Sequence, residues 1–220
     1  MGSGPLRNLG YVSSAPLPPS QSPTNPPLRT YLALSKSALS ALSNAQYRAL
    51  LSPTSLLNSA FHLWFHTLNS HFIRFETERT TIPVLVPQCT GVVLELGPGT
   101  GNQLCRFDRS KIQRIVGVES NPLFVPDVEE QVRLCGLEGV YDLVVAGVED
   151  EAALERAGLV AGSVDTVLSV QVLCSVDEPE RVARELYELL KPGGKLIFWE
   201  HHRSSDWWTR AAQCEFLPTW

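Results

Sequence analysis

Glu95, Gly97, Gly99 and Gly101 fall at alternate positions directly after the apolar run Val92-Val93-Leu94, with Pro98, Thr100 and Asn102 filling out the turn. Residues of these types at this spacing can hold a ligand, because glycines admit it close to the backbone and a proline stiffens the turn. A helix opening near Asn102 would present free N–H groups, which favours an anionic group such as a carboxylate or phosphate above the glycines. The turn lacks the Gly-Lys-Ser/Thr ending of a triphosphate-binding loop. Its third glycine follows the second by two residues rather than three, which counts against NAD or FAD. A second acid, Glu119, closes the next apolar run, Ile115-Val116-Gly117-Val118, and precedes Ser120 and Asn121. Strand, glycine turn and a second strand ending in an acid together point to a nucleoside cofactor. For proton transfer the candidates are His201 and His202, past the last apolar run, since imidazole titrates near neutrality; a solvated pair of loop histidines is the alternative, and Glu200 is a weaker candidate. His62 and His66 share one helix face, a spacing that can bind metal. No carboxylate or cysteine stands near them in the sequence, so no metal site is expected.

Positioning these residues requires strands that end where they stand. Short β-branched runs predict strands at 92–96, 115–119, 141–146, 164–170 and 195–200, each apolar enough to be covered on both faces. Between them, helices are predicted from near Asn102, from Asn121 through Val132 with Gly136 as a stop, over 151–157, and over 178–190 with Lys191-Pro192-Gly193-Gly194 as a stop. Asp150 suits the N-cap of the helix at 151. In an open parallel sheet, ligands sit beyond the carboxyl ends of the strands, so Gln171, Val172, Leu173 and Cys174 should face the same site as the glycine turn.

The Glu95-x-Gly97-x-Gly99-x-Gly101 pattern, the acid Glu119 ending the next strand and the Leu190-Lys191-Pro192-Gly193-Gly194 passage before a strand resemble class I S-adenosylmethionine-dependent methyltransferases over about residues 90–200. The segments Val172-Leu173-Cys174-Ser175-Val176 and Trp199-Glu200-His201 are most similar to the small microsomal thiol methyltransferases of animals and their fungal relatives. The resemblance implies an α/β, Rossmann-like open parallel sheet in strand order 3-2-1-4-5, with helices on both faces and S-adenosylmethionine as cofactor. It implies that Glu95 and the turn Gly97, Pro98, Gly99, Thr100, Gly101 and Asn102 hold the methionine part. Glu119, beside Ser120 and Asn121, would take the ribose hydroxyls. Val148, Glu149 and Asp150 would edge the adenine, with Asp150 equally placed to be only a helix cap. Gln171, Val172 and Leu173 would line cofactor and acceptor. The implied reaction is methyl transfer to oxygen or sulfur of a small, lipophilic acceptor aligned behind the methyl group, with His201 as base. In that family a helix and two more strands follow the fifth, whereas 20 residues follow Glu200 here. The expectation is therefore a sheet lacking the last two strands, with an exposed fifth strand that self-associates or is covered by the N-terminal helices. A truncated, catalytically silent cofactor-binding or interaction protein is the alternative. An NAD-dependent oxidoreductase would need a pair such as Tyr187 and Lys191, whose spacing fits but which end an amphipathic helix.

The remaining features bound the class. A length of 220 residues, 44% of them hydrophobic, suits one domain with a real core and an appendage, and a net charge of -5 counts against a nucleic-acid partner. The expected division is a disordered Pro/Ser-rich tail over 1–30, a helical segment over 31–80 and the cofactor-binding domain over 84–220. Pro53 separates two helices in the middle segment, and the second, aromatic-rich one either caps the site or lies in a membrane interface. All 23 acidic residues lie at or after Glu76. An acid-free start with many serines suits a mitochondrial presequence or contact with an anionic membrane, or is a plain tail before helices of modest charge. Five widely spaced cysteines suggest reduced thiols in an intracellular protein, cytoplasmic or membrane-associated.

Overall fold

The computed structural model describes residues 52–200. The tail over 1–30, the first helix expected before Pro53, Cys214, and His201 and His202 lie outside that range. Within it, five parallel strands, β1 (Gly91–Leu96), β2 (Ile112–Glu119), β3 (Tyr141–Val145), β4 (Val164–Val170) and β5 (Leu190–Trp199), form one sheet in the order β3-β2-β1-β4-β5. This is the strand order expected. The chain reverses its direction of sheet growth between β1 and β4, so the loops leaving these two strands part and open a crevice there.

Alternation along each strand sends neighbouring side chains to opposite faces, and both faces are covered. Val93, Ile115 and Leu168 pack with Ile82, Leu85, Val128 and Leu137 on one side. Leu94, Val116 and Val167 pack with Leu154, Leu159, Val182 and Leu186 on the other. Each such side chain contributes roughly 1.5–3 kcal/mol when fully buried, which is why the strands read as continuous apolar runs.

Helix α1 (Pro53–Arg79) starts at Ser52, whose hydroxyl accepts from the Ser55 N–H, and Pro53 sits in its first turn, where no backbone donor is needed. It runs into the short helix α2 (Ile82–Leu85). Helices α3 (Val125–Leu134), α4 (Glu151–Arg156) and α5 (Pro179–Leu189) complete the layers. Asp150 caps α4, accepting from the Ala153 N–H at 3.0 Å. Among the described residues no helix is long and apolar enough to cross a membrane. β5 pairs with β4, and the Phe75 ring at the end of α1 packs edge-on against Trp199, so one face of the outer strand is covered from the N-terminal side.

Three expectations are corrected. No α-helix opens at Asn102; turns lead into two short 3-10 turns, Leu104–Arg106 and Arg109–Lys111, because the connection to β2 is short and α1 packs over it. There Glu76 of α1 accepts from Gln103 and Arg106 at 3.0 and 2.7 Å. The Lys191-Pro192-Gly193-Gly194 segment is not a loop before the last strand. β5 already begins at Leu190, opposite Val164, and the segment forms an irregularity before Lys195 pairs with Thr166. The Lys191 ammonium anchors it on Asp165 at 2.7 Å. Finally, Cys105 and Cys135 are joined in a disulfide, their Cα atoms 4.8 Å apart, while Cys89 and Cys174 are free. Packing the 104–106 turn against the end of α3 creates that neighbourhood across a sequence separation of 30, which spacing alone does not reveal.

Gly117 in the middle of β2 has a packing reason: a Cβ there would collide with the Tyr141 hydroxyl, which crosses over it to donate to Glu95 at 2.7 Å. Gly117→Ala is expected to cost about 1–3 kcal/mol by overpacking, read from the urea midpoint. Asp150→Ala should cost about 1 kcal/mol through the lost cap.

Candidate active site

A cavity of about 590 Å³ opens at the carboxyl ends of β1 and β4 beneath α1. Its floor is Glu95, Leu96, Gly97, Pro98 and Gly99 from the end of β1 and its turn, with Asn102 beside them. One side carries Glu119, Ser120 and Asn121 after β2, and the other carries Leu168, Val170, Gln171 and Val172 of β4 and its loop. The roof is apolar: Leu57, Phe61, Trp64 and Phe65 of α1 face Phe124. Their rings form one cluster, with centroids 5.7 Å apart for Phe65 and Phe124 and 6.1 Å for Phe61 and Phe124.

The turn is built by its own hydrogen bonds. Gly97 takes a positive φ of 51° and donates its N–H to the Val118 carbonyl, and a Cβ on it would press into Val172. The Gly99 N–H donates to Glu119 at 3.0 Å, and the Gly101 N–H to the Pro98 carbonyl. All three glycine donors are therefore used internally, and the turn is no cradle for the anion expected above it. Charge points the same way. Glu76, Glu95 and Glu119 line the cavity, while no lysine, arginine or histidine among the described residues does. A diphosphate such as that of NAD is disfavoured, and a ligand with cationic groups is favoured.

The two acids are held differently. Glu119, buried at the tip of β2, accepts from the backbone N–H groups of Gly99 and Asn121, and its burial still raises its carboxyl above the usual range. Glu95 is buried and accepts from the Tyr141 hydroxyl, yet its Oε1 finds no hydrogen-bond partner among the described residues. Desolvation pushes its carboxyl up to about 7, against the lowering effect of Tyr141 and with help from the charge of Glu119. A buried, orphaned carboxylate oxygen facing a cavity is a vacancy for a donor, and an ammonium group would fill it.

Of the other residues singled out in the sequence, Thr100 is buried behind the turn, where its hydroxyl donates to Asn102, and Gly101 lies outside the lining. Val148 sits in the core, Asp150 caps α4, and with Glu149 they do not line this cavity. Leu173 is also set back; its N–H and that of Val172 donate to Glu200, which accepts the Ser169 hydroxyl at 2.6 Å. Glu200 thus shapes the loop after β4. Sequence reasoning assigned no role to Tyr141, Gln103, Phe124 or Glu76. The one available signal was Glu76 as the first acid in the chain. Asn102 and Asn121 carry a second role: their side-chain amides donate to Asn69 Oδ1 at 2.8 Å and to the Asn58 carbonyl at 3.0 Å, docking α1 over the site.

Glu95 makes stability depend on pH. Its carboxyl holds its proton up to about 7 when folded, against 4.5 as its ordinary value. Folding therefore takes up a proton between these values; the contribution of neutral Glu95 is complete below the lower one and is lost as pH rises through the upper one. Without ligand, the protein should lose stability across that window in denaturant titrations, and Glu95→Gln should flatten the loss.

Residues 94–198 match the family described as methyltransferase domain. The thiol S-methyltransferase TMT1B of Homo sapiens is 34% identical over 129 residues, covering 58% of this chain and 50% of that protein. That of Rattus norvegicus is 40% identical over 109 residues, covering 50% and 42%. The chain thus spans about half the length of these relatives. In fold, it is similar to the candidate methyltransferase complexed with the Trm112 methyltransferase activator of Haloferax volcanii, at TM-score 0.53 and 18% identity, covering 72% of this chain and 67% of that one. With the sheet order, the acid-glycine turn and the acid closing β2 already in place, residues 94–198 are similar to the methyltransferase domain of the class I S-adenosylmethionine-dependent enzymes.

Proposed function

We propose that the protein transfers a methyl group from S-adenosylmethionine to the sulfur of a small, lipophilic thiol. The observation that carries this is one cavity in which the acids Glu95 and Glu119 stand opposite an apolar roof of Leu57, Phe61, Trp64, Phe65 and Phe124. When bound, S-adenosylmethionine supplies an already activated sulfonium methyl group. Glu95 takes the ammonium of the methionine part on its orphaned oxygen, and Tyr141 fixes the orientation of that carboxylate. Glu119 receives the ribose hydroxyls; its oxygens each accept one backbone N–H and retain lone pairs for more. The turn Gly97 to Asn102 supports the methionine part, and Gln171 and Val172 separate it from the acceptor.

The aromatic roof seats an apolar acceptor and excludes water, so the residues act mainly by alignment. Among the described residues the cavity has no imidazole or amine to serve as base. A thiol suits a site that acts by alignment, because with an ordinary pKa of about 8.5 it is already partly thiolate near neutrality. The names of the relatives point to the same acceptor atom. His201, just past β5 in the sequence, is the proposed assisting base. The exposed Leu57, Phe61 and Ile73 on α1 support a peripheral contact of that helix with a membrane surface, where lipophilic thiols concentrate.

Calorimetric titration with S-adenosylmethionine should give micromolar binding that Glu119→Ala weakens by roughly 1.5–3 kcal/mol, as for a lost charged hydrogen bond. Transfer of a labelled methyl group to small alkyl thiols should exceed transfer to phenols. Binding without transfer to either would leave a silent cofactor-binding protein, and no binding by folded protein would overturn both readings.

A further inference from the structure

His62 and His66 have a partner that their surroundings in the sequence do not reveal. The fold brings Asp127, in the first turn of α3, to the same face of α1, where its Oδ2 lies 3.1 Å from His62 Nε2 and 3.0 Å from His66 Nε2. One nitrogen from each ring and one carboxylate oxygen thus lie within 4.8 Å of one another. The expectation of no metal site rested on the missing carboxylate. The fold supplies it from 61 to 65 positions away.

We propose that His62, His66 and Asp127 bind one divalent ion of the zinc class, and that this ion pins α1 to α3 over the cavity. Two imidazole nitrogens and a carboxylate oxygen suit zinc, or cobalt and nickel in its place, better than calcium or magnesium, which take mostly oxygen. Around a tetrahedral ion with nitrogen and oxygen ligands at roughly 2.0–2.1 Å, neighbouring ligand atoms lie about 3.3 Å apart, close to the two nitrogen-to-oxygen separations of 3.1 and 3.0 Å. As a pure hydrogen-bond cluster, both rings must carry their proton on Nε2 and converge on one oxygen. Replacing those two protons by one ion keeps the same three atoms converging on one point, with the two nitrogens, within 4.8 Å of each other, drawn onto the ion. The side chains are 29%, 41% and 26% exposed, so an ion can enter and water can complete its coordination.

The site stands outside the cavity wall, not in it. Its neighbours Phe61 and Phe65 on α1 and Phe124 before α3 line the cavity, and the Phe124 ring centroid is 4.9 Å from that of His62. An ion here therefore joins the roof to the wall beside Asn121, reinforcing the asparagine contact that docks α1. Its role is to hold the lid.

The test uses the whole chain, stripped of metal by chelator and titrated with zinc chloride and, separately, with cobalt chloride. One equivalent should bind, cobalt should give the intense visible bands of four-coordinate nitrogen and oxygen ligation, and Asp127→Asn or His66→Gln should weaken binding at least about tenfold. His71→Gln, on the same helix but outside the cluster, should not. Zinc should also slow amide exchange over residues 53–79 in the native chain and not in Asp127→Asn. These variants keep a hydrogen-bonding side chain at each position, and circular dichroism confirms that they fold. Absence of binding, binding untouched by Asp127→Asn, or binding with no protection of α1 would each overturn the proposal. None of these readings needs cofactor or turnover.

Discussion

The carboxylate of Glu119 at the tip of β2 is the contact on which the site depends. By accepting from Gly99 on one side and Asn121 on the other, it ties the glycine turn after β1 to the loop after β2. Both loops leave adjacent strands at their carboxyl ends, and without this bridge each would have buried N–H groups with no partner. The cost is a charge in a poorly solvated place, next to a second buried acid. That proximity helps explain why Glu95 holds its proton so far up the pH scale, and why the cavity is better suited to a cationic ligand than to an anionic one.

The roof is a separate piece of architecture. α1 crosses the mouth of the crevice and is fixed at points spread along its length: near Asn58, at His62 and His66, at Asn69 and at Glu76. All but one of these partners come from the loops that form the site, and the other, Asp127, follows directly in the first turn of α3. Lid and site are therefore coupled: a change in the turn at Asn102, or in the loop at Asn121, alters a lid contact as well as the wall of the cavity. The aromatic side chains between these anchors give the cavity its apolar half, while the strand ends give it its acids.

Strands buried on both faces leave a strong imprint in a sequence, and all five were legible at Val92-Val93-Leu94, Ile115-Val116, Leu143-Val144-Val145, Val167-Leu168 and Leu196-Ile197. The acids ending β1 and β2 were legible for the same reason: a charge at the end of an apolar run has few structural uses. The segment after Gly101 was misread because turn chemistry says that something begins there, not how much room it has. α1 takes the place over Gln103 and Arg106, and a 3-10 turn fits beneath it. The start of β5 was misread because Lys191-Pro192-Gly193-Gly194 stops a helix equally well whether a loop or an irregular strand follows.

Local pattern, then, determined the order of the elements, the parallel sheet, the two acids and the glycine turn, because each is written within a few neighbouring residues and rests on backbone geometry and burial. Only the tertiary structure decided what met across the sheet and over it: Tyr141 on Glu95 through the gap left by Gly117, Cys105 on Cys135, Asn121 on Asn58, and Asp127 between two histidines of the lid. These contacts join residues 30 or more positions apart, where neither periodicity nor spacing carries a signal, and it is the packing of helices on the sheet that brings them within reach.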